Sequence, residues 1–228
     1  MIPTFSLCHT TARLPDGWQS AVRAWFECCD APKRVEYVLS IDAGRQNDFL
    51  RASHAELMKT KGTFGRVVRV ENFGRPCAVD GWNAAAATST GRFLITVSDD
   101  YRPCEHWDTE LLKAIPDING EYVMDVDNQD NSYPLLPFSF LTRAYYKRLG
   151  YLFYPEFFGM MADNDFTDVA RRDRVVVDAR HLKFTHLHPH RGTAPDDEVY
   201  RWQQRPEAWE AGNRVYHRRK AEREGKLC

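Results

Sequence analysis

The 228-residue sequence lacks the features that mark several classes of protein. No apolar run approaches the roughly 20 residues that span a bilayer, and residues 1–4 do not begin a basic segment followed by an apolar one. The formal net charge is only −1, so composition gives no sign of a polyanionic partner. Six cysteines are present without a Cys-x-x-Cys pair, which predicts reduced, packed thiols. We therefore expect a soluble, cytoplasmic protein.

What the sequence does contain is an alternation of predicted strands and helices, which is typical of an α/β sheet. Strands are predicted at 4–9, 35–41, 66–70 and 93–97, and helices at 15–29, 46–59 and 78–89. Further on, strands are predicted at 121–126 and 136–141, and helices at 143–149 and 163–171. Hydrophobic residues make up 43% of the chain, which is enough for one sizeable core.

The most informative segment is Ser98-Asp99-Asp100, which directly follows the apolar strand 93–97. Two carboxylates at the end of a buried strand are costly to desolvate, so they usually meet a cation or a polar ligand. A solvated turn is the alternative. Ligands of open α/β sheets bind beyond the carboxyl ends of the strands. Polar side chains follow two other predicted strands at such ends, namely Thr10, Thr11 and Arg13, and Asp42 with Arg45.

The second half adds three candidate features. Asp163 begins a predicted helix and is either its N-cap or a general base. The aromatic segment 151–161 fits either the core or a sugar-binding groove. Period-2 alternation places His186 and His188 on one face of a strand, where they are either solvated or near a metal. Carboxylates with one imidazole favour Mn or Mg over structural zinc.

Taken together, these residues resemble the nucleotide-sugar glycosyltransferases of the GT-A fold, especially the inverting family-2 type. Segment 83–100 resembles that family's Asn-containing helix, glycine turn and strand ending in a DxD-type motif. Segment 162–166 is similar to its Glu-Asp-x-Asp acceptor-side motif. The resemblance covers roughly residues 3–190 and departs at two positions: Ser98 replaces the first acid of the DxD motif, and Ala162 replaces the usual Glu.

The resemblance implies a fold and an activity. The fold would be a Rossmann-like three-layer sandwich with a mixed, mainly parallel central sheet. Residues 1–100 would bind the nucleotide sugar, 101–192 would form the acceptor half, and 193–228 would form a helical extension. The activity would be metal-dependent, inverting transfer from a nucleoside-diphosphate sugar, with a UDP-sugar favoured. The acceptor hydroxyl would belong to a glycan, a lipid-linked or small molecule, or a hydroxylated base in modified DNA.

It also implies residue roles and a divalent cation, Mn or Mg. Asp163 would be the catalytic base, and Asp100 would bind the metal together with His188 or His186. The implied donor-binding residues are Thr10, Thr11, Arg13, Asp42, Asn83 and Asp99, and the acceptor-side residues are Asp165, Tyr154 and Phe158.

Two alternatives remain open: a nucleotidyltransferase with a related sheet and a noncatalytic nucleotide-sugar-binding module. The first is disfavoured because segment 10–15 carries no glycine for a phosphate loop. In the extension, segment 195–198 predicts the start of one helix, and Arg205-Pro206 separates it from a second. The basic excess of that second helix fits either a solvated surface or a phosphate-contacting one.

Overall fold

The computed structural model describes residues 2–13, 17–44, 62–129 and 134–225, together with residues 55, 57, 59 and 60. The strands of this described part are β1 (Phe5–Thr10), β2 (Val35–Asp42), β3 (Arg66–Asn72), β4 (Phe93–Val97), β5 (Tyr101–Arg102), β6 (Val123–Asp127), β7 (Phe140–Thr142), β8 (Val176–Lys183) and β9 (Thr185–His186). Its α-helices are α1 (Gly17–Glu27), α2 (Ala78–Thr88), α3 (Trp107–Ala114), α4 (Arg143–Leu149), α5 (Ala162–Arg172), α6 (Glu198–Gln203) and α7 (Pro206–Arg223). None of them is long and apolar enough to cross a membrane.

Some sequence predictions lie outside the described residues, namely Pro15, Asp16, Arg45 and most of the helix at 46–59. One prediction is wrong in extent. The strand expected at 136–141 is confined to Phe140–Thr142, and residues 134–139 are not in a strand. The predicted separation of the last two helices at Arg205-Pro206 is confirmed, since α6 ends at Gln203 and α7 begins at Pro206.

Seven strands form one mixed sheet in the order β3-β2-β1-β4-β7-β6-β8. Strands β1 to β4 pair in parallel, β7 is antiparallel to β4 and β6, and β8 is parallel to β6. The mixed, mainly parallel sheet is thus confirmed. Because β1, β2 and β4 run in the same direction, the residues that follow them meet at one edge of the sheet.

Both faces of the sheet are covered, as the alternation of side chains along each strand requires. On one face, Leu7, Tyr37 and Ile95 belong to a core that includes Trp25 of α1 and Trp107 of α3. The opposite face carries a second core, which contains Cys8, Val38 and Leu94 with residues of α2, α4 and α5. The chain therefore forms the predicted three layers.

A short second sheet brings residues 185–190, the histidine segment, next to Asp100. In it β5 and β9 pair antiparallel, with Tyr101 opposite His186. The Leu187 amide donates to the Asp100 carbonyl at 2.7 Å. The prediction of one strand carrying both histidines is wrong, because β9 ends at His186 and His188 precedes a 3₁₀ turn. Their rings still lie together, with centroids 5.5 Å apart.

Glu36 is a fully buried acid near the amino end of β2, at the opposite end of the sheet from Asp100. Its carboxylate accepts hydrogen bonds from Ser6 Oγ at 2.5 Å, Gly91 N at 2.7 Å and Arg66 Nη1 at 2.5 Å. Burial alone would raise the pKa of Glu36, but these hydrogen bonds outweigh burial and lower it. The ionised acid therefore holds β1, β2 and the turn before β4 together.

We expect Glu36→Ala to lower the free energy of unfolding by about 3 kcal/mol, because it leaves a buried amide and a guanidinium without their acceptor. Urea denaturation would measure the loss. Since the pKa of Glu36 is lowered on folding, the stabilisation is present above its ordinary value of 4.5 and is lost as the pH falls below it. A matched control is Asp178→Ala, whose pair with Arg180 is exposed and should contribute little. Equal losses in the two variants would contradict the structural role of Glu36.

Candidate functional site

Asp99 is held by two side chains at the carboxyl end of β1, those of His9 and Thr11. The His9 Nε2 atom lies 3.0 Å from Asp99 Oδ1, and Thr11 Oγ1 donates to Asp99 Oδ2 at 2.8 Å. Behind them, the Tyr37 hydroxyl lies 2.8 Å from His9 Nδ1. His9 and Tyr37 are fully buried, and the Asp99 side chain is 5% exposed. The predicted donor residues Thr11 and Asp99 thus bind each other, which fixes the turn that presents Asp100.

Asp100 projects from this turn, with a quarter of its side chain exposed. Ser98 Oγ donates to Asp100 Oδ1 at 2.5 Å, His186 Nε2 lies 3.7 Å from the same oxygen, and Arg13 Nη1 lies 3.6 Å from Oδ2. Burial favours the neutral acid, but His186, Ser98 and Arg13 overcome it and hold the pKa of Asp100 at about 2. Asp100 is therefore ionised at neutral pH. The serine that replaces the first acid of the DxD motif supports Asp100 directly.

The side chains around Asp100 match a divalent cation in their chemistry. An ionised carboxylate and neutral imidazoles are ligands for Mn. Burial, followed by the charges of His186 and His190, lowers the pKa of His188 and so favours its neutral form. Across the described ranges, no three His, Cys, Asp or Glu side chains are already arranged around one point as metal ligands. The side chains around Asp100 are therefore of the types that bind a divalent cation, and Asp100 and His186 lie 3.7 Å apart.

An aromatic column positions His186. The ring of Tyr101 stacks on Phe138 with centroids 3.8 Å apart, and Phe138 meets the His186 ring edge-on at 5.1 Å. Next to the column, Arg102 Nη1 donates to the Asp99 carbonyl at 2.7 Å. The two residues of β5 thus act on both groups: Tyr101 supports the His186 imidazole through Phe138, and Arg102 holds the acidic turn, residues 98–100.

Asp163 lies in the first turn of α5 and is not its N-cap. The cap position is Met161, in the left-handed conformation at φ 67°, and the Asp163 carboxylate accepts from the Asn164 amide at 2.9 Å. Burial raises the pKa of Asp163 above its ordinary 3.8, and the charge of His186 acts in the opposite direction. A buried carboxyl with a raised pKa, close enough to His186 to feel its charge, has the character of a general base.

The predicted acceptor-side residues contact arginines. Asp165 is 3% exposed, and both of its oxygens lie 3.0 Å from the Nε atom of Arg219, with Arg223 as a second partner. The Arg219 guanidinium also lies 3.4 Å from the Tyr154 ring centroid. These contacts join α5 and the aromatic segment to α7. Arg219 and Arg223 of α7 therefore lie inside an intramolecular interface. For these two residues the structure shows neither the solvated surface nor the phosphate-contacting surface that the sequence suggests.

Phe158, the third predicted acceptor-side residue, is 41% exposed. Its ring lies 4.2 Å from the guanidinium carbon of Arg75, which also pairs with Asp80. Arg75 and Asp80 line a cavity of about 440 Å³ together with Asn72, Asn83, Pro155 and Glu156. Arg75 was missed by sequence reasoning, although it follows a strand end as Arg13 does.

The remaining predicted donor residues lie near this cavity or against α2. Asn72 Nδ2 donates to Asp42 Oδ1 at 2.8 Å. Asn83 Nδ2 donates to the Phe153 carbonyl at 2.8 Å, and its Oδ1 accepts from the Leu152 amide at 2.8 Å. Thr10 packs so closely against α2 that a side chain at Gly81 would collide with it. Thr11, Arg13 and Asp99 are thus grouped around Asp100, whereas Asn83 clamps the aromatic segment.

Comparisons with known proteins identify the fold. No protein-family model and no curated protein matches the chain. A mannosyltransferase from Pyrobaculum calidifontis in complex with GDP-Man and Mn²⁺ aligns over 98% of this chain and 65% of its own, at 15% identity and a TM-score of 0.68. TarS of S. aureus in complex with UDP-GlcNAc aligns over 86% and 63%, at 14% identity and a TM-score of 0.61.

A third structure, GalNAc-T7 with UDP, GalNAc and Mn²⁺, aligns over 82% of this chain and 44% of its own, at 11% identity and a TM-score of 0.62. The chain spans between about a third and two thirds of the length of the structures it matches. At these identities the similarities establish the fold, and they confirm the expected GT-A type.

Proposed function

We propose that this protein is a glycosyltransferase that transfers a sugar from a nucleoside-diphosphate donor with the help of a divalent cation. The observation that carries the proposal is the environment of Asp100, an ionised carboxylate at the carboxyl end of β4, next to His186 and Arg13. Asp163, an acid with a raised pKa, lies near enough for the charge of His186 to act on it. The compared structures with UDP-GlcNAc, GDP-Man and Mn²⁺ support the same class of ligands.

Asp100 with His186 or His188 would hold Mn or Mg in this site. When bound, the cation would neutralise charge that develops on the departing nucleoside diphosphate. The guanidinium of Arg13 lies next to the same carboxylate and adds positive charge on the donor side. Thr11, His9 and Arg102 keep the turn in place, so these groups need little rearrangement during the reaction.

Asp163 would act as the base. As the acceptor oxygen forms a bond to the anomeric carbon, its proton passes to the Asp163 carboxylate. The bond from that carbon to the diphosphate breaks, and the electron pair leaves with the nucleoside diphosphate. One base and one displacement from the opposite face predict inversion of the anomeric centre. A UDP-sugar remains the favoured donor.

The acceptor is a hydroxyl of a glycan, a lipid-linked or small molecule, or a modified DNA base. Modified DNA has less support than the sequence suggested, because Arg219 and Arg223 of the basic helix are paired with Asp165. The exposed ring of Phe158 beside Arg75 supports a planar or sugar acceptor on the aromatic segment.

A panel of UDP- and GDP-sugars, scored by thermal shift with and without Mn²⁺, tests the proposal. A ligand that binds only the folded protein raises its melting temperature, so one donor should give a shift that increases with Mn²⁺. The donor that shifts would then be assayed for release of nucleoside diphosphate. Binding without release would support the noncatalytic module, and no shift with any donor would contradict the proposal.

A further inference from the structure

Arg13 lies between the candidate metal ligand and the C-terminal extension. Its Nε donates to Asp197 Oδ2 at 2.5 Å, and its Nη2 donates to Asp197 Oδ1 at 3.3 Å. On the other side, Nη1 is 3.6 Å from Asp100 Oδ2, beyond hydrogen-bond distance. About a quarter of the Arg13 side chain is exposed, as are similar fractions of both acids. Arg13 therefore binds Asp197 through two hydrogen bonds and only faces Asp100.

Asp197 is itself fixed by the extension. It is the N-cap of α6, and its Oδ1 accepts from the Tyr200 amide at 2.7 Å. The ring of Tyr200 stands edge-on to those of His188 and His190, with centroids 5.3 Å and 5.9 Å apart. The Asp197 carboxylate is thus anchored by its own helix, and that helix contacts His188 and His190 through Tyr200.

The geometry of a guanidinium makes Asp197 and Asp100 competitors for Arg13. The planar guanidinium binds one carboxylate through two parallel hydrogen bonds, and such pairs are stronger than single neutral hydrogen bonds. Without the Asp197 charge, Asp100 is the carboxylate that remains paired with Arg13 among the residues that the structure describes. An Arg13 pair with Asp100 would occupy the oxygens that a cation requires.

We infer that Asp197 is a positioning residue of the site: it holds Arg13 off Asp100 and so keeps that carboxylate available to a divalent cation. The inference rests on the cation of the proposed function. It makes the extension a working part of the site, although Arg13 and Asp197 are 184 residues apart.

The test uses Mn²⁺ alone as the probe. The concentration of the free ion is measured by electron paramagnetic resonance as the 228-residue chain is added. Asp197→Asn should weaken Mn²⁺ binding about tenfold, the size expected from a charge-assisted hydrogen bond. Asn is also a good N-cap, so α6 should persist. In an Arg13→Gln background, the same Asp197→Asn change should have no effect, because the guanidinium that Asp197 holds is already absent.

Asp196→Asn is the matched control. It removes the same charge one residue away, but Asp196 is exposed and pairs with Arg201 at 3.1 Å. We expect unchanged Mn²⁺ binding in this variant. Equal weakening by Asp197→Asn with and without Arg13 would indicate a direct effect of charge on the cation and overturn the inference.

Two further outcomes separate this inference from the proposed function. If the parent binds Mn²⁺ and Asp197→Asn binds it equally well, only the positioning role of Asp197 is overturned. If the parent binds no Mn²⁺, the cation of the proposed function fails, and this inference fails with it. The near-ultraviolet circular dichroism of each variant would show whether the tryptophans of α6 and α7 keep their environment.

Discussion

Asp163→Asn is expected to abolish sugar transfer without destabilising the protein at neutral pH. The amide keeps the size of the side chain but cannot accept the acceptor's proton, so kcat should fall roughly 10²–10⁴-fold. In the parent, kcat should decline as the pH drops through the raised pKa of Asp163, because only the ionised base is active. Donor binding should persist, because the proposed role of Asp163 is at the acceptor hydroxyl.

The sign of the stability effect follows from linkage. Burial raises the pKa of Asp163 in the folded protein, so the folded state holds this proton more tightly than the unfolded state. The contribution of Asp163 to stability therefore falls as the pH rises from its ordinary 3.8 through the raised value. Replacing the acid by an amide removes that cost. Urea denaturation at neutral pH should show an unchanged or slightly larger free energy of unfolding.

Asp165→Asn is the matched control on the same helix. Its carboxylate is nearly buried between Arg219 and Arg223, so the amide leaves two guanidinium groups without their counter-charge. We expect a loss of about 3 kcal/mol in the free energy of unfolding. Turnover by Asp163→Asn at the parent rate would remove Asp163 from the base role.

Asp100→Asn should remove the dependence of donor binding on Mn²⁺. The amide lacks the charge that a divalent cation requires, so nucleoside-diphosphate affinity with Mn²⁺ should fall to the value measured without it. Titration calorimetry of UDP and GDP, with and without Mn²⁺, gives both numbers. Asp99→Asn is the control: Asp99 binds His9 and Thr11, so its loss should weaken binding equally in both conditions.

Asp100→Asn should also destabilise the protein, in contrast to Asp163→Asn. Because the pKa of Asp100 is lowered from 3.8 to about 2, its ionised form stabilises the fold above pH 3.8, and this is lost as the pH falls towards 2. This lowering of the pKa corresponds to about 2 kcal/mol in the free energy of unfolding at neutral pH. Mn²⁺-dependent binding that survives in Asp100→Asn would exclude Asp100 as the metal ligand.

The strand before Asp99 could be predicted from sequence to its last residue. Residues 93–97 form a continuous apolar run, and two acids end it, so burial and termination are both local signals. By contrast, β5 and β9 contain only two residues each, and the period-2 pattern of His186 and His188 extends the second of them too far. Their pairing, which brings His186 to Asp100, depends on tertiary structure.

The residue roles were harder to predict where the partner is distant in sequence. Asp165 and Arg219 are 54 residues apart, so no local pattern announces their pair. Asn83 fitted a donor-site motif, but its amide binds the backbone of residues 152–153. Asp163 fitted an N-cap, but Met161 occupies that position in a left-handed conformation that methionine rarely adopts. The motifs therefore indicated where along the sheet these side chains lie, but not which partners they contact.

The two-residue pairing of β5 with β9 has a consequence for the order in which the molecule loses its properties. Strands β1 to β4 of the large sheet are joined by parallel pairings of five to seven residues, whereas β9 is joined to β5 by only two residue pairs. Short, partly exposed elements open at lower free energy than core strands. Warming should therefore separate the His186 imidazole from the Asp100 carboxylate while β1 to β4 remain paired, so that β9, and not the core, would set the upper temperature limit of the proposed activity.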